Sequence, residues 1–293
     1  MKRIIVVLFV VSVMVLGLIG AVSANAEEVP TCKFGIDAAF PPWTWCEKGE
    51  VKGFEIELFE YIGKIKGFKI EPADLPWSTI ISALSKGKID ILGGGLSFTC
   101  KRAKIIDYAL PHWKIDYCTL VRKDSDLNGV TSMSMGHTIG AQAGTTGYRW
   151  CKEELVDNGV DVKLVGYETC DLGIKDVESG RIAAFHIDTP SALGFIEAGR
   201  NVKIIGKGYH FDINAFAVTL GDPHKLIPKI NDGIKKAYES GKWAELVHKF
   251  LPWATVEKVP YSIDYVKWCK EKGEPLPPEE AKRAKENLKE LSQ

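Results

Sequence analysis

The sequence predicts an α/β protein of two lobes, each built from a mostly parallel β-sheet flanked by helices. Short runs of β-forming residues alternate with stretches whose apolar residues recur at helical spacing, which is typical of parallel sheets covered by helices. This alternation stops near residue 122, begins again at residue 137, and returns after residue 215. The late return predicts two crossings between the lobes, near residues 120–123 and 215–217.

The first unit contains three predicted strands and two predicted helices. Residues 89–96 are almost continuously apolar or glycine, as expected of a strand buried on both faces. Residues 54–65 carry apolar side chains at helical spacing, which predicts a helix. The other elements predicted here are strands at 33–37 and 69–75 and a helix at 79–85 that Ser78 caps.

The second unit begins with a predicted strand at 137–142, and Thr145 and Thr146 then open a helix that reaches Trp150. The later elements predicted are strands at 162–165, 182–187 and 215–220, helices at 172–179, 228–239 and 243–250, and a charged surface helix at 279–291. The resulting division is a signal peptide at 1–26, lobe 1 at 32–122 plus 217–253, lobe 2 at 123–216, and a C-terminal extension at 254–293.

The amino terminus has the pattern of an export signal. Lys2 and Arg3 precede a 17-residue apolar run at 4–20, and an Ala-Asn-Ala cleavage pattern ends at Ala26. Cleavage there predicts a periplasmic or extracellular protein. A run of this length is also at the short limit for crossing a bilayer, so an uncleaved segment would tether the chain to the membrane.

The seven cysteines all follow this segment, and no C-x-x-C pair occurs among them. A zinc cluster or a thioredoxin-like site is therefore not expected. An exported protein favours disulfides, and we predict Cys151–Cys170 first, because the two are close in sequence, and Cys46–Cys100 second. The odd count leaves at least one thiol free or paired between molecules.

Composition and motifs exclude several classes of function. The 38 basic and 38 acidic residues cancel, so nothing indicates a nucleic-acid partner. The sequence contains neither a GxxxxGK(S/T) loop nor an HExxH motif, and residues 95–99 lack the last glycine of a GxSxG nucleophile elbow. We therefore expect no metal, no cofactor and no catalytic residue.

Candidate binding residues cluster after predicted strands, where parallel α/β sheets bind ligands. Arg102 offers a planar fork that fits a carboxylate in two parallel hydrogen bonds, and Ser97 adds a hydroxyl. Thr145 and Thr146 open a helix whose free N–H groups favour an anion, although helix capping explains the same pair. Asp188 ends an apolar strand, where it would hold an ammonium group or cap the next helix.

Two aromatic residues, Phe40 and Trp77, would stack on a ligand or belong to the core or its rim. The combination of a cationic fork, hydroxyls and a helix terminus with a single aspartate favours a ligand that has both a carboxylate and an amine.

Six segments in this order resemble the family 3 extracellular solute-binding proteins, the polar amino-acid receptors of ABC importers. They are GIDAAFPPWTW, VKGFEIEL, WSTIISALSKGKIDILGGGLSFTCKR, IGAQAGTT, SGRIAAFHIDTPSA and ESGKWAELVHKFLP. The resemblance covers about residues 32–253 and implies the two-lobed type II periplasmic-binding-protein fold with two hinge crossings.

The resemblance also implies a role for each matching residue. Arg102 matches the arginine that grips the ligand α-carboxylate, and Asp188 matches the acid that holds the α-ammonium. The further matches are Ser97, Thr145 and Thr146 at the carboxylate, Gly95 as a backbone contact to the amine, Phe40 and Trp77 as the aromatic pair around the ligand, and Asp37 as a polar residue near the ligand side chain.

The implied function is capture of an amino acid, or a similar small amino or carboxylate compound, by a monomer that delivers it to an ABC permease. One alternative is a periplasmic enzyme of the same fold, such as a cyclohexadienyl dehydratase. It would need an acid in the cleft, for which Glu55, Glu57 and Glu168 are candidates. His137 and His186 are also expected near the cleft. A sensor or accessory subunit is a further alternative, which no sequence feature favours.

Overall fold

An eight-stranded sheet forms the centre of the computed structural model, which describes residues 29–254. The strands are, in chain order, β1 (Thr31–Ile36), β2 (Ala39–Phe40), β3 (Thr44–Glu47), β4 (Glu50–Lys52), β5 (Lys69–Asp74), β6 (Ile91–Leu92), β7 (Ile106–Arg122), β8 (His137–Gln142), β9 (Val162–Tyr167), β10 (Ala184–Asp188) and β11 (Val202–Thr219). The large sheet has the order β5-β1-β6-β11-β7-β10-β8-β9, and β2, β3 and β4 form a small antiparallel sheet. The predicted signal peptide and the helix predicted at 279–291 lie outside the described residues.

Helices flank the large sheet. They are α1 (Phe54–Lys66), α2 (Trp77–Ser85), α3 (Thr146–Trp150), α4 (Cys170–Glu178), α5 (Thr189–Glu197), α6 (Leu226–Glu239) and α7 (Lys242–Phe250). Helix α3 continues into a π-helical turn, Cys151–Val156, and a 3₁₀ turn spans Arg102–Lys104. Within residues 29–254, no helix is long and apolar enough to cross a membrane.

The sheet is parallel at its two ends and antiparallel in its middle. Strand β1 pairs in parallel with β5 and β6, and we call these three the first strand group. Strand β8 pairs in parallel with β9 and β10, which form the second strand group. The long strands β7 and β11 lie between the groups and pair antiparallel with each other. These two strands therefore connect the groups.

The predicted alternation of strands and helices is confirmed, but some elements differ from the prediction. The strand predicted at 215–220 is the end of the long strand β11, and neither β7 nor the small sheet has a predicted counterpart. Helix α2 begins at Trp77 and has Pro76 at its N-cap position, so the prediction that Ser78 caps it is wrong. The strand predicted at 89–96 is only Ile91–Leu92, because positive backbone φ angles follow in its glycines. The long pair β7 and β11 makes the centre of the sheet antiparallel. The described chain from Thr31 onward is one compact unit, and the lobe boundaries stay a prediction.

Buried aromatic rings fix β1 against α1 and β11. The ring centroids of Phe34 and Phe59 lie 4.5 Å apart, and those of Phe59 and Phe216 also lie 4.5 Å apart. All three rings are fully buried, and each contributes about 1.5–3 kcal/mol through burial. This packing holds β1 against α1 and β11.

Helix α1 starts where only glycine fits. Gly53 has φ 138°, and a Cβ atom there would lie 2.1 Å from the carbonyl oxygen of Trp43. At its other end α1 terminates at Gly67, in the left-handed conformation that glycine adopts without strain. The start at Gly53 places Glu55 in the first turn, facing the residues after β6.

Both predicted disulfides are wrong. Cys151, Cys170 and Cys46 are free thiols. Cys151 and Cys170 pack in different apolar clusters, and Cys46 is exposed whereas Cys100 is buried. Proximity along the chain is therefore a poor guide here, because neighbouring elements turn these side chains toward different parts of the core.

Candidate ligand-binding site

A cavity lies beyond the carboxyl ends of strands from both groups. It is lined by Phe40, Trp77, Gly94, Gly95, Ser97, Arg102, Tyr117, Gln142, Thr145, Thr146, Cys170, His186, Ile187 and Asp188. Eight of the nine residues predicted from the sequence are in this lining. The ninth, Asp37, lies behind Gln142. Parallel topology explains the convergence, because β1 and β6 end together in one group and β8 and β10 in the other.

Arg102 joins the two strand groups at the cavity. Its Nη1 atom donates to the Ser97 carbonyl at 2.8 Å, and its Nη2 atom donates to the Gly144 carbonyl at 3.0 Å. The side chain is held in a fixed pose and the residue is 8% exposed. A guanidinium has five N–H donors, so three remain for a carboxylate.

Three hydroxyls lie next to one another across the same gap. Thr146 Oγ1 donates to Ser97 Oγ at 3.2 Å and lies 2.7 Å from the Tyr117 hydroxyl. The Tyr117 hydroxyl also donates to Asp212 at 3.4 Å, and burial raises the pKa of Tyr117 well above its ordinary value, with a further contribution from Asp212. Tyr117 is therefore a neutral hydroxyl in this network.

Thr145 caps helix α3, one of the two roles predicted for it. Its Oγ1 accepts a hydrogen bond from the Tyr148 N–H at 3.0 Å and donates to the Gln142 carbonyl at 2.7 Å. Thr146 makes the hydroxyl contacts across the cavity instead. Thr145 therefore caps the helix while Thr146 faces the cavity, because only Thr145 occupies the N-cap position.

Asp188 lines the cavity and also caps α5. Its Oδ1 atom accepts from the Ser191 N–H at 2.8 Å, and the residue is 4% exposed. Burial raises the pKa of Asp188 to about 6, although the hydrogen bond from the Ser191 N–H acts in the opposite direction. A cation placed beside this carboxylate would lower its pKa and favour its charged form.

The residues after β6 form a glycine loop, 93–95, that a buried glutamate holds. Glu55 Oε1 accepts from the Gly95 N–H at 3.1 Å, and Oε2 accepts from the Gly94 N–H. Gly95 has φ 72°, and a Cβ there would lie 3.0 Å from the Trp43 ring and 3.1 Å from Phe40. The loop therefore needs glycine both for its conformation and for its close approach to the aromatic wall.

The two predicted aromatic residues belong to this wall. Phe40 is 9% exposed and Trp77 is 6% exposed, and both line the cavity. The Trp77 indole N–H is buried without a hydrogen-bond partner among the described residues. Each ring is thus a core or rim aromatic that also presents a surface to the cavity.

Asp37 acts on the cavity through Gln142. The Gln142 side-chain amide donates to Asp37 Oδ2 and, at 3.0 Å, to the Glu168 carbonyl. Burial raises the pKa of Asp37, and the hydrogen bond from Gln142 partly offsets that rise. The Cys170 thiol donates to the other side of the amide, Gln142 Oε1, at 3.4 Å. Gln142 is therefore fixed from three directions.

The glutamates considered as catalytic acids do not reach the cavity. Glu55 lies behind the glycine loop, and Glu57 forms a surface ion pair with Lys249 at 2.6 Å. Glu168 lines a neighbouring groove with Asp37. His137, at the start of β8, is also outside the lining, whereas His186 is in it. No cluster of three or more potential metal ligands occurs within residues 29–254.

Comparisons with known proteins show the family of the chain. Residues 32–252 match the bacterial extracellular solute-binding proteins, family 3. The chain is 26% identical over 241 residues to a probable histidine-binding protein of Neisseria gonorrhoeae, covering 79% of this chain and 86% of the relative.

Two solved structures show the same fold. An ancestral arginine-binding protein bound to arginine has a TM-score of 0.70 at 28% identity, over 75% of this chain and 97% of that one. The ancestral amino acid-binding protein AncCDT-1, a precursor of cyclohexadienyl dehydratase, has a TM-score of 0.69 at 28% identity, over 75% of this chain and 95% of that one. The described residues have the type II periplasmic-binding-protein fold.

Proposed function

Because the chain belongs to the bacterial extracellular solute-binding proteins of family 3, we propose that it captures an amino acid outside the cytoplasm and delivers it to an ABC importer. The observation that carries this proposal is the placement of Arg102 and Asp188 on one cavity, from different strand groups. A buried cationic fork and a buried carboxylate together complement the α-carboxylate and α-ammonium of an amino acid.

The mechanism follows from the origin of each contact. The ligand binds the first strand group through the Arg102 guanidinium and the rings of Phe40 and Trp77. The second strand group then closes and adds Thr146 and Asp188. The connecting strands β7 and β11 supply the hinge. Closure is driven only by the ligand's higher affinity for the closed form, so groups from both sides must contact the ligand.

The closed form is the one that the proposed partner, a membrane permease, recognises. Closure brings the two strand groups into a fixed arrangement, which a membrane permease can distinguish from the open form.

The histidine- and arginine-binding names of the relatives support an amino acid as the ligand. The chain acts as an exported monomer, released by cleavage after Ala26. An enzyme of the same fold has less support, because Glu55, Glu57 and Glu168 lie outside the cavity lining.

A thermal-shift screen of residues 27–293 tests this function with the twenty proteinogenic amino acids and with carboxylates that lack an amine. A ligand at 100 times its dissociation constant stabilises the folded state by about 2.7 kcal/mol, which gives a clear rise in Tm. A rise confined to a few amino acids supports the proposal. No rise with any amino acid, or a rise with amine-free acids alone, contradicts it.

A further inference from the structure

His186 is a buried imidazole in the cavity wall that the amino-acid main chain does not need. It precedes Asp188 by two residues on β10, so both side chains project from the same face of the sheet. His186 is 2% exposed and lines the cavity. Arg102 and Asp188 already provide for the carboxylate and the ammonium, which leaves His186 for another part of the ligand.

A second histidine fixes the orientation of this ring. The Nε2 atoms of His186 and His210 lie 3.2 Å apart, and the two rings are inclined by only 26°. This is the geometry of an N–H···N hydrogen bond between nearly coplanar imidazoles. Both rings also stack on Tyr117 and Trp150, with centroid distances from 3.9 to 5.5 Å. His186 is thus held rigidly, as a recognition group must be.

The other ring nitrogen of His186 has no partner. Its Nδ1 atom is buried and makes no hydrogen bond to any described residue. Buried polar atoms are almost always paired, and His186 lines the cavity, so its unpaired Nδ1 atom points to a ligand. Burial, followed by the nearby His210, lowers the pKa of His186 well below its ordinary value. The ring is therefore neutral, and Nδ1 is a bare acceptor when Nε2–H is donated to His210.

The charges around the cavity favour a ligand group that donates a hydrogen bond. Asp188 lines the cavity directly. Asp37 and Asp212 are not in the lining, but each accepts a hydrogen bond from a residue that is, Gln142 and Tyr117 respectively. Among the described residues that line the cavity, Arg102 is the cation, and the ligand carboxylate neutralises it. The remaining carboxylates attract hydrogen-bond donors.

We propose that His186 selects the ligand side chain by accepting, at Nδ1, a hydrogen bond from an N–H group of that side chain. The ligand is then an amino acid whose side chain ends in an N–H donor, such as glutamine, histidine or arginine. This inference rests on the proposed amino-acid function and adds the chemistry of the side chain.

Calorimetry on the chain 27–293 tests the inference. The probes are the twenty proteinogenic amino acids and L-norleucine, which has no side-chain donor. The proteins are wild type, His186→Phe, which keeps a flat ring, and the control His137→Phe, which alters a half-buried imidazole outside the cavity wall. We expect the tightest wild-type ligand to carry a side-chain N–H. His186→Phe should weaken that ligand by about 5- to 100-fold and L-norleucine by less than about threefold, whereas His137→Phe should change neither.

The possible outcomes distinguish failure of this inference from failure of the proposed function. If wild type binds no amino acid, the proposed function fails and the inference fails with it. If it binds one that lacks a side-chain N–H most tightly, or if His186→Phe weakens all ligands equally, only the inference is overturned. Should His186→Phe not fold, ¹⁵N NMR of wild type decides, because the His186 Nδ1 resonance must move from a bare to a hydrogen-bonded nitrogen when the tightest ligand is added. An unmoved resonance overturns the inference.

Discussion

Replacing Asp188 by asparagine measures how far burial of this carboxylate lowers the free energy of unfolding, separately from its role in binding. Burial raises its pKa from an ordinary value of 3.8 to about 6. Because one pKa unit corresponds to about 1.4 kcal/mol, ionised Asp188 lowers the free energy of unfolding by about 3 kcal/mol at neutral pH. Asparagine has nearly the same shape and caps a helix about as well as aspartate, so the variant loses mainly the charge.

The direction of the pH dependence follows from the raised pKa. The folded protein holds the Asp188 proton more tightly than the unfolded chain does, so protonation stabilises the fold. This stabilisation is complete below pH 3.8 and is lost as the pH rises through about 6. Asp188→Asn does not titrate. The free energy of unfolding of Asp188→Asn minus that of wild type should therefore rise by about 3 kcal/mol between about pH 4 and pH 7. This difference should be constant above that range.

Urea unfolding at several pH values measures this difference. Titration of other groups, including His186, is common to both proteins and cancels. The matched control is Asp126→Asn, at an exposed aspartate, which should show no such growth. A difference that does not change with pH would refute the reasoning, and so would an Asp188→Asn protein that is less stable than wild type at neutral pH.

Arg102→Ala should weaken amino-acid binding by about 100-fold or more, because a desolvated carboxylate is left without its partner; unchanged affinity in calorimetry would contradict the role of Arg102. Asp188→Asn should weaken ligands with an α-amine by about 30-fold or more and leave amine-free carboxylates within about threefold, and equal losses for both kinds of ligand would show that Asp188 does not bind the amine. Glu55→Gln should lower the free energy of unfolding by about 1–3 kcal/mol, because an amide has one acceptor oxygen for the two N–H groups of the glycine loop. Glu57→Gln, at a surface ion pair, should cost less than about 1 kcal/mol, and similar losses in urea for the two glutamine variants would contradict the role of Glu55.

The residues that end parallel strands could be predicted because topology brings such ends together. The strand predicted at 137–142 has the bounds of β8, and Thr145 and Thr146 follow it at the cavity. Arg102 and Asp188 also line the cavity, since each follows or ends a strand whose apolar run is evident in the sequence. Local composition was sufficient at these positions.

Other cavity residues could not be predicted because they depend on tertiary pairing. Strand β7 carries Pro111, Lys114 and Asp116 and has no continuous apolar run, so it is a strand chiefly because it pairs with β11. Tyr117 therefore gave no local signal of its position at the cavity. The hydrogen bond between His186 and His210 joins two residues that are 24 positions apart in sequence and lie on different strands. Such a pair depends on strand register, which local periodicity does not specify.

The most direct test of the amino-acid site is calorimetry with three forms of the tightest amino acid from the screen: the free amino acid, its des-amino analogue and its carboxamide. If Asp188 holds the ammonium and Arg102 holds the carboxylate, each analogue should bind about 30-fold more weakly or worse. If both analogues bind as tightly as the free amino acid, neither side chain holds the ligand main chain, and the site described here is contradicted.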